Sequence, residues 1–277
     1  MNSRFFILFL CPIITACIPS TPHGKVASAR TDVIYGQKLE LPSISSSEDV
    51  IVHTGYTVSY NSKRKIPNWV AYELTPEEAN GTTPRPKNSP FREDPDFRGP
   101  QPSRSDYSNK QNWDKGHLAP CADMKISCTT MIESFYFTNV CPQNHSINSG
   151  DWQTLEELVH NMAAKSGKTM YIVCGPIVSE GQFGTLGAAG ITIPDYFFKA
   201  LLYKDANGYH SIAFVMPNKP SSRCLGDYSL KVNDLERIIG VDLFTNLDKR
   251  IQESVEAQHI LNDWNLKISE QHGEKEK

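Results

Sequence analysis

Apolar and polar residues alternate along residues 51–60, the period of a strand with one face buried. A polar turn, Asn61-Ser62-Lys63-Arg64-Lys65, follows, and residues 69–74 resume the pattern, so the two segments predict a hairpin. Residues 77–101 carry many prolines and no period; unstructured stretches of that length inside a domain are usually functional or mobile. The run Phe135-Tyr136-Phe137-Thr138-Asn139-Val140 predicts a buried strand. Asn148-Ser149-Gly150-Asp151 offers N-cap residues with a favourable first-turn acid. Beyond it Trp152, Leu155, Leu158, Val159 and Met162 fall at helical spacing, and Gly167 stops the helix. Residues 169–177 predict a strand. Residues 197–203 and 209–216, joined by Asp205-Ala206-Asn207-Gly208, predict a second hairpin. Residues 229–239 predict a helix ended by Gly240, and residues 248–267 a last helix. Strands outnumber helices and pair as hairpins. The expected fold class is therefore α+β, with a mainly antiparallel central sheet flanked by helices.

Composition narrows the class. With 39% hydrophobic and 21% charged residues over 277 positions, neither a disordered chain nor a multi-pass membrane protein fits. The formal net charge of −3 argues against a protein that lives on nucleic acid, but not against an enzyme that meets it at a local basic groove. Residues 60–125 hold 11 Lys and Arg against 9 Asp and Glu, a small positive excess, so phosphate contacts should be few and activity should fall as salt rises.

The N-terminus reads as a leader. Arg4 precedes the apolar run Phe5-Phe6-Ile7-Leu8-Phe9-Leu10, and residues 1–16 form the expected signal peptide. Ile14-Thr15-Ala16-Cys17 resembles a bacterial lipobox, which would make Cys17 the lipidated first residue and the only membrane contact. Simple cleavage near Ala16, giving a free secreted or periplasmic protein, is the alternative. Residues 17–48, rich in Ser, Thr and Pro, read as a flexible tether; 49–268 form one domain and 269–277 a charged tail. Five further cysteines remain, an odd number, so at least one thiol should be free; Cys121 with Cys128 is a candidate bridge.

The chemistry concentrates in Asp114-Lys115-Gly116-His117 and the stretch that follows as far as Glu156. Asn148 stands 31 residues after His117 and Glu156 eight residues after Asn148, with Asn139 between them. Cutting a phosphodiester requires a deprotonated water, neutralised charge and a stabilised leaving oxygen. A neutral imidazole suits the first need. An asparagine oxygen suits a hard cation, since Mg²⁺ often keeps its waters and takes only one or two protein ligands. Side chains on a helix lean toward its N-terminus, so Glu156 could reach back toward the ion. A guanidinium should grip the phosphate, and Arg92 is the first choice with Arg85 in reserve. Taken singly, each has an ordinary structural explanation: a hydrogen-bonded histidine, an N-cap, a solvated helix face or loop arginine. Their order and spacing carry the functional reading.

Three blocks resemble the DNA/RNA non-specific endonuclease family, the ββα-metal nucleases that include endonuclease G-like enzymes. They are Asp114-Lys115-Gly116-His117-Leu118-Ala119-Pro120, Thr138-Asn139-Val140-Cys141-Pro142-Gln143, and Asn148-Ser149-Gly150-Asp151-Trp152-Gln153-Thr154-Leu155-Glu156. The resemblance implies a ββα finger carrying the active site, His117 as general base and Asn148 as the protein ligand of Mg²⁺, with Mn²⁺ as a substitute. It implies that Glu156 orients water at the ion, Asn139 positions the site, Asp114 supports the ion's water network, and Arg92 contacts phosphate. DNA and RNA would be substrates, leaving 5′-phosphate and 3′-hydroxyl ends. Lys115 stands where the family usually has arginine; as a substrate contact it keeps the charge and loses the fork. The competing reading is a catalytically inactive, nuclease-like surface lipoprotein that binds nucleic acid or a partner.

Overall fold

The computed structural model describes residues 38–88, 90–108, 112–179 and 181–269. Strands β1 (Asp49–Val52), β2 (Thr57–Asn61) and β3 (Ile66–Leu74) form an antiparallel meander. Helix α1 (Pro76–Ala79) and a long irregular stretch lead to β4 (Trp113–His117), α2 (Cys128–Glu133), β5 (Val140–Asn144), α3 (His145–Asn148) and α4 (Asp151–Ala164). Strand β6 (Met170–Ile177) returns to pair with β3. The short strands β7 (Thr185–Leu186) and β8 (Ile191–Thr192) pair with each other. The hairpin of β9 (Tyr196–Asp205) and β10 (Gly208–Pro217), then β11 (Ser229–Leu230), α5 (Val232–Ile239) and α6 (Lys249–Glu256), complete the described chain. The main sheet runs β1-β2-β3-β6-β9-β10-β11 and every pairing is antiparallel, the α+β class expected.

The period of two divides this sheet between two cores. On one face Val70, Tyr72, Ile172 and Leu201 pack with Trp152, Leu155 and Val159 of α4. On the other, Trp69, Ala71, Val173 and Ala200 pack with Val232 and Leu235 of α5 and Val255 of α6. The separate pair β4–β5, followed by α4, lies with the first core and forms the expected finger.

Several boundaries differ from those expected. Residues 51–60 are two strands, because His53 N donates to Tyr56 O at 2.8 Å and the buried His53 ring lies 3.0 Å from Asp94 Oδ2, closing a turn. Phe137–Asn139 is a 3₁₀ turn, and β5 starts only at Val140. Asn148 ends α3 instead of capping α4, whose N-cap is Gly150 with no side-chain bond. The 229–239 segment begins as a strand because Leu230 and Ser229 pair with Ala213 and Phe214. The last helix ends at Glu256; beyond it the chain turns so that buried Trp264 meets Tyr203, ring centroids 5.0 Å apart.

The expected tether is too long at its C-terminal end. Leu39 is buried in the second core, Asn246 Nδ2 donates to Lys38 O at 2.7 Å, and Trp69 Nε1 donates to Glu48 Oε2 at 3.0 Å, so residues 38–48 belong to the domain. The leader, Cys17, the rest of the tether and residues 270–277 lie outside the described residues. Cys121, Cys128, Cys141, Cys174 and Cys224 are all free thiols, so the Cys121–Cys128 bridge is not formed.

Candidate active site

Pairing of β4 with β5 sets Asp114 opposite Gln143, Gly116 opposite Cys141 and His117 opposite Val140. Glycine is required at 116, since a Cβ there would lie 2.6 Å from Cβ of Gln143. At the end of β4, Leu118 N donates to Asn139 O at 3.0 Å. The Asn139 side chain is fully buried: Oδ1 accepts from Ala119 N at 2.9 Å, and Nδ2 donates to Ala119 O at 2.9 Å and Ser134 O at 2.8 Å. Its amide is used up on backbone, so Asn139 fixes the chain leaving His117 and does not face a substrate.

His117 lies against Phe91 and Phe135, ring centroids 5.0 and 5.1 Å away. Its Nε2 is buried and has no hydrogen-bond partner. Burial, helped by the positive field of Arg85, lowers the pKa to about 3, so the ring is a neutral base across the physiological range. Arg85 is exposed, with its guanidinium carbon 5.3 Å from the centre of the Phe135 ring. Arg92 is also exposed; its backbone pairs with Phe135 and Phe137, and its Nε donates to Pro90 O at 3.1 Å. The ammonium of Lys115 sits 5.5 Å from the Phe91 ring centre and 5.3 Å from that of Tyr107, which ties its charge to aromatic faces on the His117 side of β4.

Asp114 reaches the other way. Its Oδ2 lies 3.0 Å from Asn148 Nδ2, which donates to it, and 2.7 Å from His145 Nδ1. Holding the amide nitrogen leaves the Asn148 carbonyl oxygen available as an acceptor. Asp114 and His117 are three residues apart in one strand, about 10 Å along it. Asn148 thus joins the same strand as His117 through Asp114, on the strand face opposite the imidazole.

Glu156 lies on the inward face of α4. Its Oε1 is buried without a hydrogen bond and stands 4.0 Å from Nζ of the fully buried Lys199, which has none either. Burial raises the Glu156 pKa to about 7, against the opposing pull of Lys199. Lys199 shares the parity of Phe197, Leu201 and Tyr203 in β9, the face on which α4 packs, and its ammonium also lies 4.6 Å from the Trp152 ring centre.

Three side chains around the finger and α4 carry oxygen donors of the kind a divalent cation takes: the oriented Asn148 amide, the partly buried Glu156 carboxylate with its Oε1 unpaired, and Gln143, buried with both amide atoms unpaired. All are hard oxygen ligands apart from the Gln143 nitrogen. Other acidic or histidine clusters among the described residues, His53 with Asp94 and Asp96, and Glu236 with Asp242 and Glu256, do not include these residues.

The structure places His117, Lys115 and Asp114 on β4, ties Asn148 to Asp114, packs Asn139 at the end of that strand, and sets the Arg85 guanidinium over the Phe135 ring that meets His117. Arg92 stands on the neighbouring loop and Glu156 one layer deeper. Sequence reading overlooked Lys199, although a lysine inside Phe197-Phe198-Lys199-Ala200-Leu201-Leu202 was a signal. It also gave no role to His145, the second partner of Asp114.

The family model described as DNA/RNA non-specific endonuclease matches residues 40–250. The chain is 30% identical over 212 residues to the mitochondrial nuclease EXOG of Danio rerio, covering 72% of this chain and 61% of that protein. It is 31% identical over 233 residues to the mitochondrial nuclease of Saccharomyces cerevisiae, covering 74% and 69%. The chain spans about three-fifths of the length of the EXOG nucleases it matches. A chain in the crystal structure of the EndoG/EndoGI complex shares the fold, with a TM-score of 0.69 at 22% identity, covering 79% of this chain and 96% of that one. With the family model covering most of the folded residues, this chain belongs to the DNA/RNA non-specific endonuclease family.

Proposed function

We propose that this protein is a metal-dependent endonuclease that hydrolyses phosphodiester bonds of DNA and RNA without regard to sequence. The observation that carries the reading is a buried, unpartnered His117 Nε2 on the same strand as the carboxylate that orients Asn148. Asn148 Oδ1 would hold the cation, Mg²⁺ or Mn²⁺ in its place, with Glu156 as the nearby carboxylate. When bound, such an ion supplies positive charge against the phosphate oxygens and the leaving oxygen.

The chain's own groups do the rest. His117 Nε2 takes a proton from the attacking water. The new oxygen–phosphorus bond forms as the bond to the 3′-oxygen breaks, and the 3′-oxygen takes a proton from solvent. The products are a 5′-phosphate and a 3′-hydroxyl. Phe91 and Phe135 keep the imidazole neutral by shielding it from water. Arg85 or Arg92 forks onto phosphate oxygens, and Lys115 adds positive field from its place on the aromatic rings. Contacts of this kind address the backbone, not base edges, so sequence is left unread.

The leader supports export to the cell envelope, as a lipoprotein through Cys17 or as a free secreted or periplasmic enzyme. Digestion of single- and double-stranded DNA and RNA side by side, with Mg²⁺ and with EDTA and with end-group analysis, tests the reading. It predicts cleavage of all of them, only with metal, to 5′-phosphate ends. Binding without cleavage under every metal condition would instead support an inactive nucleic-acid-binding module.

A further inference from the structure

On the other side of the sheet from His117, three carboxylates meet in one cavity that Arg237 and Lys249 also line. Gly240, with φ of 70°, ends α5 and turns the chain back, so that Leu243 N donates to Glu236 Oε1 at 2.7 Å. Gln252 of α6 donates through Nε2 to Asp242 Oδ1 and Leu243 O, both at 2.6 Å. These bonds draw Glu236, Asp242 and Glu256 together, and one oxygen of each lies within 4.8 Å of the other two.

Glu256 is only 4% exposed, and its Oε1 has no hydrogen-bond partner. Asn233, one turn before Glu236 and lining the same cavity, has a second buried acceptor, Oδ1, without a partner. Lys249 Nζ donates to Gln252 Oε1 at 3.4 Å and its charge opposes the rise of the Glu236 and Glu256 pKa values without forming an ion pair, and Arg237 pairs with Asp234 at 2.8 Å. Among the described residues none of the three carboxylates forms an ion pair with lysine or arginine. Burial, together with the charges of Glu236 and Asp242, pushes Glu256 up to about 8. Gathering carboxylates in this way is costly unless a cation neutralises them.

The donors are all carboxyl or amide oxygens and come from two helices and a loop. That set suits Ca²⁺, which accepts irregular shells of six to eight oxygens and completes them with water, better than Mg²⁺. We propose that Glu236, Asp242 and Glu256, with Asn233 Oδ1, form a structural calcium site that ties α5, the 240–247 loop and α6 together. Because Ser43 N donates to Asp242 O at 2.7 Å, the ion would also secure the segment that leads into β1.

The test uses the full chain carrying Asn148→Ala, so that the candidate catalytic ion loses its ligand, stripped with EDTA and titrated with CaCl₂ in a calorimeter. One Ca²⁺ per chain and a rise of several degrees in Tm at millimolar Ca²⁺ are expected. Adding Glu256→Gln should abolish the binding heat and the calcium-dependent rise, while the calcium-free Tm stays at or above its parent's because one buried charge is gone. Glu236→Gln serves the same purpose should Glu256→Gln fold poorly. No calcium binding by the Asn148→Ala protein, or equal binding by the glutamine variants, would overturn the site, and neither result bears on cleavage chemistry.

Discussion

Asp114 holds Asn148 by the nitrogen of its amide: Nδ2 donates to Oδ2 at 3.0 Å, and the same oxygen lies 2.7 Å from His145 Nδ1. A carboxylate so placed decides which end of the amide faces outward. Partners of this kind behind a metal ligand typically change affinity by about 10–100-fold. Asp114→Ala should therefore raise the Mg²⁺ concentration for half-maximal cleavage by about that factor. The KM for DNA at saturating Mg²⁺ should change little, and a Mg²⁺ titration of the initial rate checks both.

The depressed pKa of His117 makes a stability prediction. In the unfolded chain the ring titrates near 6.5, and in the fold at about 3. Between those values the unfolded chain binds the extra proton, so stability falls as pH drops from 6.5 toward 3. His117→Asn removes that contribution. Its Tm should decline less than that of wild type between pH 7 and pH 4, by an amount equivalent to roughly 2–4 kcal/mol. Parallel melting curves across that range would show it.

Glu156 works in the opposite sense. Its pKa is raised from 4.5 to about 7, so between those values the folded chain binds more protons than the unfolded one. Stability from this group is present below pH 4.5 and is lost as pH rises through 7. Glu156→Gln should be more stable than wild type at pH 8, by roughly 1–3 kcal/mol, with cleavage reduced at least 100-fold. Urea melts at pH 5 and pH 8 should show the gap only at the higher pH.

Much of the site was legible in the sequence because its parts are local. Asp114 to His117 is one strand, and Asn148 and Glu156, eight residues apart, lie on the two successive helices α3 and α4. What escaped depends on distant contacts. The break at His53 follows from Asp94, 41 residues away. The inward face of Lys199 is decided only once α4 is known to cover that side of β9. Asn148 looks like a cap because asparagine favours caps. Asn144 takes that place on α3 instead, accepting from Ser146 N at 3.0 Å. Leu39 looked like tether because one buried residue among many polar ones leaves no period.

Arg85 and Arg92 are the two candidates for gripping the phosphate. The sequence favours Arg92, whereas the Arg85 guanidinium carbon lies 5.3 Å from the centre of the Phe135 ring that packs on His117. Arg85→Ala should lower kcat/KM by about 100-fold, and Arg92→Ala by less, since Arg92 Nε already donates to Pro90 O. Steady-state kinetics on one DNA substrate ranks them. A larger loss for Arg92→Ala would restore the sequence-based choice.

The most direct measurement is plasmid cleavage by His117→Ala beside wild type, in Mg²⁺, with added imidazole as a third arm. If the neutral ring is the proton acceptor, the variant loses at least 100-fold in rate, keeps its Mg²⁺ dependence, and regains part of its activity with imidazole. Cleavage by His117→Ala at the wild-type rate would contradict the account.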